Sequence, residues 1–205
     1  MKKMMFNDRY GLTQAVISGR KTVTRRVVKD AWWPIYKIEA EEIKGDIIHV
    51  IANNGKLVIE HKCPYKIGEI VAVAQCYADI HSELMIGDFG DDCYDSFKNA
   101  VVHDKAGWHN KMFVQADLMP HRIQITDLRI ERLQDISDDY FKEGITFLVS
   151  ADDGRIQWGY ADEHLRYYMF DSPRKAFASL IDKVSGRGTW DRNPFVWRIE
   201  FELVK

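Results

Sequence analysis

The sequence predicts an α+β fold, a small curled β-sheet or barrel with peripheral helices and insertions. Three observations predict it. The C-terminal run Phe195–Leu203 alternates apolar with largely charged residues, the period-two pattern of a strand with one buried face. The Asn54-Gly55 pair lies between two strand-like runs, the strongest short-range signal for a β-hairpin. The β-branched run Ile70-Val71-Ala72-Val73-Ala74 reads as a buried strand lying centrally in a sheet. With 205 residues the chain is long enough for one sizeable core, and it reads as a single domain over 1–205.

The elements follow in order. Tyr10–Ser18 reads as a helix with Asp8 as its N-cap, Leu12, Val16 and Ile17 facing the core, and Gly19 as its end. The Trp32-Trp33-Pro34 stretch within Asp30–Glu42 reads as loop. Ile43–Ile51 and Lys56–His61 are the two strands around Asn53-Asn54-Gly55. Ala78–Gln115 decays into Gly, Asp, His and isolated aromatics and is expected to hold little regular structure. Arg122–Leu133 reads as a strand whose inward parity switches from Ile123 and Ile125 to Leu128 and Ile130, which calls for a β-bulge near Thr126-Asp127. Ser137 is expected to cap a short helical turn through Lys142 and Glu143, closed by Gly144. Arg166–Val184 reads as helical, restarted at Ser172-Pro173. Insertions are expected near 30–42, 78–115 and 148–190.

Composition narrows the function classes. Hydrophobic residues at 46% and charged residues at 29% mark a globular chain and not a disordered one. A net charge of -2 argues against a long footprint on duplex nucleic acid, though it leaves room for a short basic patch. The N-terminus turns polar at Asn7-Asp8 before any signal-peptide core develops, and no apolar run is long enough to span a bilayer, so a cytoplasmic protein without membrane contact is expected. Cys63, Cys76 and Cys93 are expected as free thiols. His61, Cys63, His103 and His109 match no zinc spacing, and the acidic 87–92 stretch lacks an EF-hand register; no metal and no cofactor are expected.

The densest chemistry lies in Gly19-Arg20-Lys21-Thr22-Val23-Thr24-Arg25-Arg26. If Lys21–Thr24 form one helical turn, the amine and the hydroxyl stack on one face, and a lysine of lowered pKa can activate the threonine or orient water beside it. Arg20, Arg25 and Arg26 are candidates for holding RNA phosphates. The plainer reading is a solvated basic helix end offsetting the negative pole of the first helix. Trp190 and Asn193, in Trp190-Asp191-Arg192-Asn193-Pro194, combine an aromatic plane with an amide as a base-stacking pocket does; packing beneath a turn is the plainer alternative.

The pattern Gly19, Lys21, Thr24, Arg26 after an N-terminal helix resembles the ASCH family, whose fold is a PUA-like β-barrel. Three further stretches match in order: Tyr65–Glu69 before a strand, Ile125–Ile136 before a short helix, and Phe195–Phe201 at the end. The resemblance is greatest to the longer bacterial and phage-borne members. It implies a protein that binds or acts on RNA or modified nucleosides. Some small members are amidohydrolases that deacetylate N4-acetylcytidine with a lysine, a threonine and a glutamate. Lys21 and Thr24 match the first two, and Glu143 is the matching acid. A non-catalytic RNA-binding module and a ribonuclease are the alternatives. The chain departs from longer relatives at Gln75, where many carry an acid.

Overall fold

A computed structural model describes residues 1–28, 38–44, 47–52, 57–86, 106–137, 139–149 and 154–204, with the backbone alone described for 38–44, 47–52, 57–61 and 85–86. The N-terminal half holds β1 (Lys3–Met4), α1 (Leu12–Ile17), β2 (Val23–Val27), β3 (Ile38–Lys44), β4 (Ile47–Ala52), β5 (Leu57–Lys62), β6 (Ile70–Val73) and α2 (Tyr77–Ile86). The C-terminal half holds β7 (Arg122–Arg132), β8 (Thr146–Val149), β9 (Ile156–Ala161), β10 (Tyr167–Phe170), α3 (Pro173–Ser185), α4 (Thr189–Arg192) and β11 (Phe195–Val204). The fold is α+β. A five-stranded sheet runs β1-β6-β7-β11-β2, and two three-stranded antiparallel sheets run β3-β4-β5 and β8-β9-β10. The large sheet is open: β1 and β2 are its edges, and no ladder joins them among the described residues. Among those residues no helix is long and apolar enough to cross a membrane.

The long antiparallel pair β7 and β11 is the spine of the large sheet. Asp127 lies opposite Glu200 and the next pair is Ile125 with Phe201, so Thr126 is an extra residue in β7. This is the bulge expected from the parity switch. It keeps Ile123, Ile125, Leu128 and Ile130 toward one apolar core, which they share with Phe6, Val71, Val73, Ile199 and Phe201. β6 is an interior strand beside β7, with Val71, Ala72 and Val73 fully buried.

Several elements differ from the sequence expectation. α1 begins only at Leu12; Asp8–Tyr10 is a separate 3₁₀ turn, and Gly11, at φ 63°, takes the N-cap position. The Asp8 carboxylate accepts from the Thr13 hydroxyl and caps no backbone amide. Gly19, at φ 73°, does end the helical segment. Ile43–Ile51 is not one strand, because Lys44 pairs with Ile47 and the chain reverses between β3 and β4; the apolar residues on both sides hide the Gly45-Asp46 turn signal. β3 also occupies part of the stretch expected as loop. The segment expected to lack regular structure contains α2, whose Tyr77, Ile80 and Leu84 fall at helical spacing and pack on Val114 and Met119. Arg166–Val184 is helical only from Pro173, with the Ser172 hydroxyl accepting from the Lys175 amide; Tyr167–Phe170 pairs with β9 instead. Ser137 caps nothing at the Phe141–Glu143 turn, whose N-cap is Tyr140, although Gly144 closes it at φ 97°. The Asn53-Asn54-Gly55 turn, Cys93, His103, Asp138 and the acidic 87–92 stretch lie outside the described residues.

Candidate functional site

β2 is an edge strand, and its backbone alternation decides how the site is built. The Val28 amide donates toward β11, to the Phe195 carbonyl, so the odd residues of β2 turn their main-chain groups to the free edge. There the Phe141–Glu143 turn docks: the Val23 and Glu143 carbonyls both accept from the Lys21 ammonium, and just before the strand the Thr22 amide donates to the Lys142 carbonyl at 2.9 Å. Lys21 therefore precedes a strand and shares no helical turn with Thr24, contrary to the expectation of i, i+3 stacking. Val23 and Thr24 are extended because β11 pairs with them.

Lys21 and Glu143 meet at this edge, although 122 positions separate them. The Lys21 Nζ donates to Glu143 Oε2 at 2.6 Å, to the Glu143 carbonyl at 2.9 Å and to the Val23 carbonyl at 2.7 Å. All three ammonium protons are used. The residues are 2% and 3% exposed. Burial lowers the Lys21 pKa below its ordinary value, Glu143 opposes that shift, and Arg26 and Arg25 add to it.

The cluster continues through arginines. Arg25 Nη1 donates to Glu143 Oε1 at 2.8 Å and Arg25 Nε to Glu131 Oε1 at 2.6 Å, with Asp139 Oδ2 at 3.6 Å from Nη2. Arg198 holds Asp139 at 2.7 Å, Glu200 at 3.0 Å and Asp127 at 3.4 Å. Burial works to raise the Asp139 pKa, but hydrogen bonds and charge from Arg198 hold it below its ordinary value. Arg25 is thus neutralised inside the fold by acids of its own chain. The sequence reading omits Glu131, Asp139 and Arg198. The register could have supplied Glu131 and Arg198, since the charged parity of β11 and the post-bulge parity of β7 fall on the same side as Arg25; Asp139, outside both strands, has no such signal.

Thr24 and Arg26 take the other face. Thr24 pairs in register with Ile199 and Arg26 with Trp197, so all four side chains look to the core side. A cavity of about 750 Å³ opens there, walled by Thr24, Arg26, Trp197, Phe6, Lys62 and Pro64 among others. Neither Lys21 nor Glu143 is on that wall. Arg26 Nη2 donates to the Met5 carbonyl at 2.6 Å, and the guanidinium lies 5.9 Å and 6.0 Å from the Phe6 and Tyr65 ring centres.

The remaining predicted residues sit elsewhere. Arg20 is exposed, with its Nε on the Ser18 hydroxyl at 3.2 Å. Trp190 packs edge-on against Phe177 and beneath the Arg174 guanidinium at 4.9 Å. Asn193, in the left-handed region at φ 46°, accepts from the Gln134 amide at 2.7 Å. Both tie α4 to the end of β7, and neither lines the cavity. Gln75 is buried, with its amide on Glu83 Oε1 at 2.6 Å, and borders a separate cavity of about 270 Å³. Neither Cys63 nor Cys76 is in a disulfide, and no group of three or more His, Cys, Asp or Glu is placed to hold a metal among the described residues.

Comparison of the chain with protein-family models, with curated proteins and with solved structures returns no match in any of the three.

Proposed function

We propose that the chain is an ASCH-type protein with a PUA-like main sheet, and that it binds a nucleoside, free or within RNA, in the cavity on the core face of β2. Position supports the family reading. The four motif stretches fall on β2, on the turn into β6, on β7 and on β11, all parts of one sheet. The cavity wall carries the binding reading: a hydroxyl (Thr24), a guanidinium (Arg26) and an indole (Trp197) face a volume of about 750 Å³, within the range of small-molecule pockets. Such a wall offers an apolar surface to the face of a base and hydrogen bonds to its edge.

A second reading, amide hydrolysis of an N4-acylated cytidine, is favoured by the buried Lys21–Glu143 pair. In it Thr24 attacks the carbonyl carbon or positions the water that does. Neutral Lys21, favoured by burial, takes the proton, and Glu143 passes it to the departing amine as the C–N bond breaks. Against this stand the three committed protons of Lys21 and the β2 backbone, which lies between the Thr24 side chain and the Glu143 carboxylate. A ribonuclease would use the same groups as acid and base.

The test presents cytidine, N4-acetylcytidine and a short RNA to the wild type, Thr24→Val and Lys21→Met, with calorimetry and product analysis in parallel. Binding without turnover, weakened by Thr24→Val, is the expected result. Acetate release that disappears in both variants replaces binding with hydrolysis, and cleaved RNA replaces it with a nuclease. No binding of any of the three removes the proposal.

A further inference from the structure

We infer that Arg26 is an anion seat, and that the ligand of the β2 cavity carries a phosphate beside its base: a nucleotide, not a free nucleoside. The inference rests on the nucleoside reading above and deepens it.

The observation is an imbalance of charge. Three arginines stand close together on β2 and β11. Arg25 has Glu131, Glu143 and Asp139 as partners, and Arg198 has Asp127, Asp139 and Glu200. Arg26 has no carboxylate partner among the described residues. Among those residues its one hydrogen bond is to the neutral Met5 carbonyl, and its buried Nε has no partner there. The residue as a whole is part-buried; an arginine does not shed its charge at ordinary pH, and a partly desolvated guanidinium without a counter-charge is costly to a fold. Burial is also the main influence on its proton affinity, which it lowers; Tyr65, Cys63 and Glu143, the last outside salt-bridge distance, oppose that shift. The Phe6 and Tyr65 rings flank the guanidinium and supply dispersion and quadrupole attraction, but no counter-charge.

The cavity that Arg26 faces repeats the imbalance. Among the described residues its wall holds Arg25, Arg26 and Lys62 and no aspartate or glutamate. Because Arg25 is spent on its acids, Arg26 and the exposed Lys62 remain as free positive charge. A planar guanidinium held in place at Nη2 presents its other N–H groups in the fork geometry that phosphate oxygens match. The neighbouring Thr24 hydroxyl and Trp197 ring leave the rest of the volume suited to a base. Neutral nucleosides fill such a pocket without answering its charge; a nucleoside monophosphate or a phosphate of an RNA chain does both.

The experiment measures binding of cytidine, cytidine 5′-monophosphate, a short oligocytidine and inorganic phosphate to the full chain, wild type and Arg26→Met, by calorimetry at two salt concentrations. The Arg26 ¹⁵Nε resonance of the wild type is followed in the same titrations, which keeps the test usable if Arg26→Met folds poorly. The monophosphate is expected to bind about tenfold to a hundredfold more tightly than cytidine, the range of a charge-assisted hydrogen bond. Arg26→Met should weaken the monophosphate by a larger factor than cytidine and so abolish that preference, and the ¹⁵Nε signal should shift with phosphate. Equal affinity for cytidine and its monophosphate overturns the anion seat while leaving the nucleoside reading intact. A ¹⁵Nε shift with inorganic phosphate and no binding of any base supports the seat and overturns the nucleoside reading. Tighter binding of the oligocytidine than of the monophosphate identifies an RNA chain as the source of the phosphate; the reverse identifies a mononucleotide.

Discussion

Glu143→Gln tests the buried edge of β2 directly. The substitution keeps the side-chain shape and the Glu143 carbonyl that Lys21 also uses, and removes only the carboxylate charge. Arg25 keeps Glu131 at 2.6 Å and Asp139 at 3.6 Å. Lys21 keeps two carbonyl partners but loses its only carboxylate while remaining 2% exposed. Removing one partner of a buried ion pair costs about 3–5 kcal/mol, since the other charge stays desolvated. For a chain of this length that is a fall in Tm of about 6–20 °C. Urea unfolding at neutral pH measures it, with Lys21→Met combined with Glu143→Leu as the control. The double variant should lie within about 1 kcal/mol of the wild type, because an apolar pair needs no desolvation of charge. The pH dependence carries a sign. Burial lowers the Lys21 pKa below 10.5, so between its folded value and 10.5 the unfolded chain holds the proton that the native chain has released, and stability rises with pH through that window. Glu143 opposes the lowering, so Glu143→Gln should extend the window downward. A Glu143→Gln variant within about 1 kcal/mol of the wild type, with an unchanged pH profile, refutes the argument that the pair is desolvated and mutually dependent.

Two further outcomes concern the β8-β9-β10 sheet. Asp162 accepts from the His164 and Arg166 amides and from the Arg166 guanidinium; burial works to raise its pKa, yet these donors hold it at about 2. Its contribution is therefore complete above the ordinary 3.8 and lost as pH falls through about 2, and Asp162→Asn should flatten that acid limb in a stability profile; an unaltered limb counts against it. A Cβ at Gly159 would stand 1.9 Å from the Tyr168 carbonyl oxygen, so Gly159→Ala should cost about 1–3 kcal/mol or more and raise amide exchange along β9 and β10. Wild-type stability in that variant contradicts the close approach.

β11 and the bulge in β7 are legible in the sequence because both are statements about side-chain parity, and parity survives in a string of letters. The hairpin of β3 and β4 is not, because isoleucines stand close on both sides of the short Lys44-Gly45-Asp46 interruption and the whole stretch reads as one strand. α2 is concealed for a different reason: three core contacts, Tyr77, Ile80 and Leu84, are scattered among polar residues whose composition suggests a loop. At the site, the meeting of Lys21 with Glu143 is expected from the family resemblance alone, since no local pattern links residues so far apart. The separation of Thr24 from that pair is a property of strand β2, where neighbours point to opposite faces. Reading Lys21–Thr24 as a turn places both groups on one side; reading it as the approach to a strand divides them. Arg25 and Arg26 look alike in sequence and differ completely in the fold for the same reason.

The extra residue at position 126 has a bearing on how this protein can vary. Asp127 and Glu131, which answer the charges of Arg198 and Arg25, point away from the apolar core because the extra residue, Thr126, is taken up in the bulge and does not count in the pleat. With Thr126 deleted, Ile125 would be followed directly by Asp127, and a regular strand would keep Ile123, Ile125, Leu128 and Ile130 on one side and Asp127, Arg129 and Glu131 on the other. Position 126 is thus a spare place in the count, and the pairing of β7 with β11 already runs continuously on either side of it. A survey of variants should find it tolerant of deletion as well as of exchange, whereas a deletion anywhere else in β7 would shift the frame and turn one set of side chains to the wrong face.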